Sequence, residues 1–281
     1  MPVGHGSEIT GHVPEIVGHD AEITGHALPK YAPDCSSATT NCRKGSTATT
    51  IGQVHMENFD AFTVGLVDDY WSARSLAIPH PKMSRGTARV VSSVVEERLG
   101  AAILHAYPGI DNIYVDQGVS IAGADMGLRK PDVCIVRNGM ITLALDLKMD
   151  MNYIRRDKLP KMVRANREWL DASSGKEAIL SVRNSEHSGQ KKRLKVGLIV
   201  SPRCVFSIII VSGMGIKKSD FQKQLEACGD DPHTPVLVLW PDAHPNNQNY
   251  PSRDAAAADL ANLKNPAAVD RLNELCAEAA R

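Results

Sequence analysis

Residues 130–149 read KPDVCIVRNGMITLALDLKM, and this stretch decides the fold. Two runs rich in β-branched and aliphatic side chains, 132–136 and 141–149, flank Arg137-Asn138-Gly139. An Asn-Gly pair between two such runs is typical of a β-hairpin. We therefore predict two adjacent antiparallel strands joined by a short turn.

The second run of the hairpin has two different faces, because successive side chains of a strand point to opposite sides. Asp146 and Lys148 share one face, next to Thr142 and Ala144. The other face is entirely apolar and comprises Leu143, Leu145, Leu147 and Met149. We expect the apolar face to pack on the core and the other face to carry a carboxylate and an ammonium group.

The length of the turn decides where Asp132 lies. Facing positions in an antiparallel pair have a constant sum, and an even sum places Asp132 on the same face as Asp146 and Lys148, directly opposite Asp146 or diagonal to it. A strict two-residue turn gives an odd sum and moves Asp132 to the wrong face. We therefore predict a three-residue or bulged loop, with Gly139 at positive φ and the two carboxylates about 5 Å apart.

Two converging carboxylates repel each other, and a divalent cation relieves that repulsion. Ligands that are all oxygen suit Mg²⁺, which lowers the pKa of a bound water and stabilises negative charge on a phosphate. With Lys148 beside them, Asp132 and Asp146 are a set suited to hydrolysing a phosphodiester. The alternative is a surface ion pair, in which Asp146 contacts Lys148 or Arg129.

The spacing of these residues resembles the PD-(D/E)XK nuclease motif, with Pro131-Asp132, thirteen residues, and then Asp146-Leu147-Lys148. The resemblance covers about residues 88–160 and is strongest to type II restriction endonucleases. It implies that Asp132 and Asp146 are metal ligands, that the Leu147 carbonyl also ligates the metal, and that Lys148 is the catalytic lysine. Asp stands at position 146 where Glu is commoner, which the motif allows.

Many members of that superfamily carry an acidic residue on the helix before the hairpin, where it assists the metal site. The predicted helix over 88–106 holds two candidates, Glu96 and Glu97. We favour Glu96, because it precedes Leu99 and Ile103 by three and seven residues, which is near the buried face of a helix. Glu97 stays open as the alternative, and a third interpretation makes this acid an exposed residue with contacts along the helix.

The rest of the chain alternates between helical and strand-like patterns. Helical periodicity is present at 57–76, 88–106, 156–171, 219–228 and 254–280. Strand-like runs are present at 112–121, 194–200, 205–211 and 236–240. This pattern predicts an α/β (α+β) fold with a central mixed β-sheet flanked by helices, and the resemblance implies a restriction-endonuclease-like core.

Residues 1–55 differ from the rest, since Gly-His recurs every seven residues at 4–5, 11–12, 18–19 and 25–26. Glycine and proline in these repeats disfavour a coiled coil, so we predict a flexible low-complexity tail. The alternatives are a start of the protein at Met56 and a weak metal site formed by the repeated histidines. We expect residues 56–281 to form a single nuclease domain, with the catalytic core at about 88–160.

The net charge of the chain is zero, but residues 151–230 hold 16 Lys and Arg against 8 Asp and Glu, a net charge of +8. We predict that this part contacts DNA phosphates, or else that it is a solvated basic surface. Within it, basic residues follow the catalytic strand closely; they are Arg155, Arg156, Lys158, Lys161 and Arg164.

Composition excludes several classes of protein. The apolar runs are far shorter than the ~20 residues that a membrane span needs, and residues 1–30 lack the apolar segment of a signal peptide. The six cysteines include no CxxC pair, which argues against a disulfide framework or a cysteine-bound zinc and favours the cytoplasm.

Together these features predict a Mg²⁺-dependent, sequence-specific endonuclease that cleaves double-stranded DNA and, as the resemblance implies, acts as a homodimer. The alternatives are a repair or recombination nuclease of the same superfamily and a non-catalytic DNA-binding module.

Overall fold

The fold is taken from a computed structural model, which describes residues 51–75, 91–123, 127–151, 154, 157–183, 193–245 and 250–281. Within these residues the helices are α1 (Ile51–Ser75), α2 (Ser92–Ala106), α3 (Lys158–Ser173), α4 (Lys218–Cys228), α5 (Arg253–Leu263) and α6 (Pro266–Ala279). The strands are β1 (Asn112–Val115), β2 (Val119–Ile121), β3 (Val133–Arg137), β4 (Met140–Lys148), β5 (Glu177–Arg183), β6 (Arg193–Ser212) and β7 (Val236–Trp240).

The strands form one mixed sheet in the order β1-β3-β4-β6-β5-β2, and β7 also pairs with β6. Strand β6 is parallel to β4 and to β7, whereas every other pair is antiparallel. Its first half pairs with β5 and its second half with β7. The predicted α/β architecture, with a central mixed sheet flanked by helices, is confirmed.

The hairpin β3–β4 combines a two-residue turn with a bulge. Asn138 and Gly139 both have positive φ, 50° and 71°, as in a type I′ turn. The register then shifts at Thr142, so that Val136 faces Ile141 whereas Ile135 faces Leu143. The bulge converts the odd sum of the tight turn into an even sum, and Val133 faces Leu145. The next facing positions are Asp132 and Asp146, as the bulged-loop prediction requires.

Both faces of the sheet are covered. On one face, Leu143, Leu145 and Leu147 are buried in a core with side chains of α1, α2, α5 and α6. On the other face, Ala144 is buried together with Trp169 of α3 and Phe206 of β6. Burying a leucine side chain contributes roughly 1.5–3 kcal/mol to folding, so the apolar face of β4 anchors the strand. Its polar face is thereby held at a fixed position on the sheet.

Three predicted strands differ from those observed. The run 112–121 is two strands, because Asp116 has a positive φ of 54° and the chain turns there; β1 pairs with β3, and β2 with β5. The runs 194–200 and 205–211 are parts of the single strand β6. The register between β4 and β6 shifts between these two parts, because Ile141 faces Val200 but Leu143 faces Val205.

Two further differences lie outside the hairpin. Strand β5 was not predicted, although residues 178–182 read AILSV. The helical region 254–280 is two helices, because the Asn265 side chain accepts a hydrogen bond from the Ala268 amide (3.4 Å) and Pro266 occupies the first turn of α6.

Helix α1 begins at Ile51, ahead of Met56, so the helix extends into the segment that was predicted to be tail. The rest of that segment, residues 1–50, lies outside the described residues. None of the helices that the structure describes is long and apolar enough to cross a bilayer.

The turn of the hairpin gives a stability prediction. Gly139→Ala should destabilise the protein by about 1 kcal/mol, because an L-residue at φ +71° is strained even though an added Cβ meets no atom within 4 Å. Gly127 is the matched control: it is equally open but lacks positive φ, so Gly127→Ala should be close to neutral. Urea unfolding of the two variants measures the difference, and equal stabilities would contradict the turn assignment.

Candidate active site

The polar face of β4 brings three oxygen atoms around one ammonium group. Lys148 Nζ contacts Asp146 Oδ1, donates a hydrogen bond to the Leu147 carbonyl oxygen (3.0 Å), and lies 3.8 Å from Asp132 Oδ2. The Leu147 amide donates to Asp132 Oδ2 (2.5 Å), which fixes that carboxylate across the hairpin. The geometry therefore brings together four of the residues selected from the sequence, and their oxygens converge on a positive charge.

Burial changes the acidity of this group. The side chains of Asp132 and Asp146 are 19% and 13% exposed. Burial raises the pKa of Asp132 to about 7, with the Asp146 charge and a hydrogen bond to Asp146 adding to the rise. Lys148 and the Leu147 amide act in the opposite direction and lower that pKa. The hairpin thus holds a carboxyl group that changes charge near neutral pH, which is common at functional sites.

Helix α2 brings Glu96 to the same region. Its side chain is buried, and burial is the largest cause of its raised pKa, followed by the charge of Asp116. Lys148 lowers this pKa and Asp146 raises it, so Glu96 lies within electrostatic range of the hairpin site. Glu97 is exposed. Of the two candidates, Glu96 is therefore the one that faces the hairpin site.

A cleft of about 500 Å³ opens beside Glu96 and contains residues that the sequence analysis did not select. Asp116 and Lys130 form an ion pair at its wall (2.5 Å). The Asp116 amide donates to the Asp132 carbonyl oxygen (2.9 Å), which ties this wall to the hairpin. The sequence signal for it is the turn-forming Asp116-Gln117-Gly118, which lies inside the run 112–121 that was predicted as one strand.

The donor set at the hairpin fits a hard divalent cation. Asp132, Asp146 and the Leu147 carbonyl provide only oxygen, the ligand type that Mg²⁺ prefers. Among the described residues, no three His, Cys, Asp or Glu side chains form a metal cage of their own. A cation here would accordingly be held by the two carboxylates, the carbonyl and water. The same three protein groups already surround the Lys148 ammonium.

The structure describes three of the five basic residues that were predicted to contact DNA. Lys158, Lys161 and Arg164 are exposed on α3, whose opposite side buries Leu159 and Val163. Lys161 pairs with Asp157 (2.5 Å). Two further candidates lie outside the described residues, Arg155 and Arg156.

Comparison with models of known protein families, with curated proteins and with solved structures gives no match. The resemblance to PD-(D/E)XK nucleases consequently depends on the motif alone. Any function has to be inferred from the chemistry of the hairpin and its surroundings.

The pair on α2 provides a test within one helical turn. If the site cleaves DNA as the motif implies, Glu96→Gln should lower the cleavage rate by about 10- to 100-fold, the loss typical when a group supporting a metal site is removed. Glu97→Gln should stay within about twofold of the wild-type rate, because its side chain is exposed where it lines the cleft, whereas that of Glu96 is buried. Initial rates on plasmid DNA compare the two variants. A larger loss in Glu97→Gln would reverse the assignment of the helix acid.

Proposed function

We propose that the protein is a Mg²⁺-dependent endonuclease that hydrolyses phosphodiester bonds of double-stranded DNA at specific sequences, as type II restriction enzymes do. The observation that carries the proposal is the bulged register of β3 and β4. It sets Asp132 opposite Asp146, with Lys148 Nζ among their oxygens and the Leu147 carbonyl.

Each residue of the site has a role in this reaction. Asp132, Asp146 and the Leu147 carbonyl would hold Mg²⁺, which when bound lowers the pKa of a water and stabilises charge on the phosphate. The Lys148 ammonium offers a proton and a positive charge at the same position, suited to orienting the water or to neutralising the attacked phosphate. Glu96 places a third carboxyl group next to those of Asp132 and Asp146.

DNA is the proposed polymer because of the basic face of α3. The exposed cations of that face, Lys158, Lys161 and Arg164, project from the helix that follows the catalytic strand. Two copies of the chain acting together would match the two-fold symmetry of a palindromic site. The cytoplasm is the compartment in which such an enzyme meets DNA.

The α3 face has a measurable consequence for salt dependence. The triple variant Lys158→Gln, Lys161→Gln, Arg164→Gln should reduce the slope of log K against log salt by about 1 for each phosphate contact removed. Affinity for all sequences should fall together, because phosphate contacts carry no sequence information. Fluorescence anisotropy at several salt concentrations measures the slope, and an unchanged slope would remove α3 from the DNA interface.

The proposal is tested by cleavage. Purified protein is incubated with phage and plasmid DNA in Mg²⁺ or in EDTA, beside an Asp132→Ala variant. Discrete fragments that need Mg²⁺ and disappear in the variant are the expected result. Smearing or structure-dependent nicking would replace restriction by a repair or recombination nuclease. DNA binding without cleavage, unaffected by Asp132→Ala, would leave a non-catalytic DNA-binding module.

A further inference from the structure

A second cleft, of about 490 Å³, lies at the opposite end of strand β4 from the hairpin site. Three arginines line it, Arg137 next to the hairpin turn, Arg203 in β6 and Arg281 beyond α6. Its apolar wall is formed by the partly exposed side chains of Met140 and Val205. The cleft thus combines a hydrophobic wall with a concentration of positive charge.

The guanidinium groups of this cleft lack partners, unlike most of the arginine side chains that the structure describes. Arg98, Arg167, Arg253 and Arg271 each contact a carboxylate, and Arg129 contacts Asn166. Four of the arginine side chains that the structure describes have no ion pair or side-chain hydrogen bond, and three of them line this cleft; the four are Arg137, Arg164, Arg203 and Arg281. Glu278 is the one acidic side chain of the lining. The cleft therefore offers hydrogen-bond donors that the protein itself leaves unused.

The cleft is separate from the hairpin site. Met140, at the start of β4, lines the cleft, whereas Lys148 ends the strand at the hairpin site. The lining residue of β4 nearest the hairpin site is Leu143, which precedes Asp146 by three residues, ~10 Å along the strand at about 3.3 Å per residue. Neither Asp132 nor Asp146 lines the arginine cleft.

We propose that the arginine cleft binds a phosphate ester of mononucleotide size. Arginine forks match phosphate oxygens in pairs, and guanidinium planes stack on aromatic rings. The apolar wall suits the flat face of a base. Ligand sites generally occupy about 300–1,000 Å³, and the volume of this cleft lies in that range.

The proposal is tested by calorimetric titration of the full chain with adenosine 5′-monophosphate, and in parallel with inorganic phosphate and with adenosine. The monophosphate should bind once per chain, and at least tenfold more tightly than either fragment. The double variant Arg137→Gln, Arg203→Gln should weaken that binding at least tenfold. Lys223→Gln, which removes one exposed charge on α4 outside the cleft, should leave it unchanged.

Three results would overturn the proposal. One is no binding of the monophosphate at millimolar concentration, and another is binding that the double variant retains. The third is a short DNA duplex that binds more tightly than the monophosphate and loses affinity in the double variant, which would make the cleft a surface for flanking DNA. Asp132→Ala should bind the monophosphate like the wild type, so loss of cleavage and loss of this site are distinguishable.

Discussion

Lys148→Met is expected to lower the rate of DNA cleavage by about 10²–10³-fold, the range typical when one group that stabilises transition-state charge is removed. Its ammonium is the one positive charge seen to contact both Asp146 Oδ1 and the Leu147 carbonyl oxygen. Methionine keeps most of the length and the apolar stem, so the packing of β4 should survive. Single-turnover cleavage at saturating enzyme isolates the loss of chemistry from any loss of binding.

Lys223→Met is the matched control for this variant. Lys223 is exposed on α4 and lies in neither of the two clefts, so the same change of charge and shape should leave the cleavage rate within about twofold. DNA affinity of Lys148→Met, measured in EDTA, should stay close to that of the wild type. A normal cleavage rate in Lys148→Met would remove Lys148 from the chemistry and leave only its ion pair with Asp146.

The hairpin site could be predicted because its geometry follows from counting residues. The requirement that Asp132 share a face with Asp146 excluded an unbulged two-residue turn, and the bulge at Thr142 meets that requirement. Strand β7 was equally accessible, since five apolar residues, 236–240, are bounded by turn-forming residues. In both cases the information is local, within a few residues of the feature that it predicts.

Two features were missed for different reasons. Strand β5 pairs with the next strand, β6, along its full length, from Glu177–Ile199 to Arg183–Arg193, and its run AILSV at 178–182 is a short local signal that the prediction did not use. Asp116 joins the site through its positive φ and its hydrogen bond to the Asp132 carbonyl, and neither is visible in composition. Local sequence propensity indicates which secondary structure a segment can adopt. The neighbour with which a strand pairs depends on the whole sheet.

The hairpin site holds negative charge that its own lysine does not fully neutralise, which is consistent with the proposed divalent cation. Asp132, Asp146 and the Leu147 carbonyl direct oxygens toward one point, and Lys148 Nζ neutralises only part of their charge. Burial and repulsion from Asp146 raise the pKa of Asp132. The Asp132 carboxyl group therefore takes up a proton more readily than a free aspartate does. A proton, the Lys148 ammonium and the proposed divalent ion would therefore compete to neutralise the same oxygens.

Asp132→Asn is accordingly expected to stabilise the metal-free protein at pH 8 and to have little effect at pH 4. The folded pKa of Asp132 is raised from 3.8 to about 7, so the folded state binds the proton more tightly than the unfolded chain does. Stability from this group is present below pH 4 and is lost as the pH rises through about 7. One pKa unit corresponds to about 1.4 kcal/mol, so the gain at pH 8 is at most about 4 kcal/mol.

Thermal unfolding in EDTA at pH 4 and pH 8 measures this difference, with Asp270→Asn as the control. Asp270 is exposed on α6, and its replacement should change the melting temperature little at either pH. Each kcal/mol is worth roughly 2–4 °C in a chain of this size. Asparagine keeps an acceptor for the Leu147 amide, so the hairpin register should persist while cleavage is lost. If Asp132→Asn melts at a lower temperature than the wild type at pH 8, the Asp132 carboxylate stabilises the fold. The hairpin would then hold a structural ion pair and not a cation-binding site.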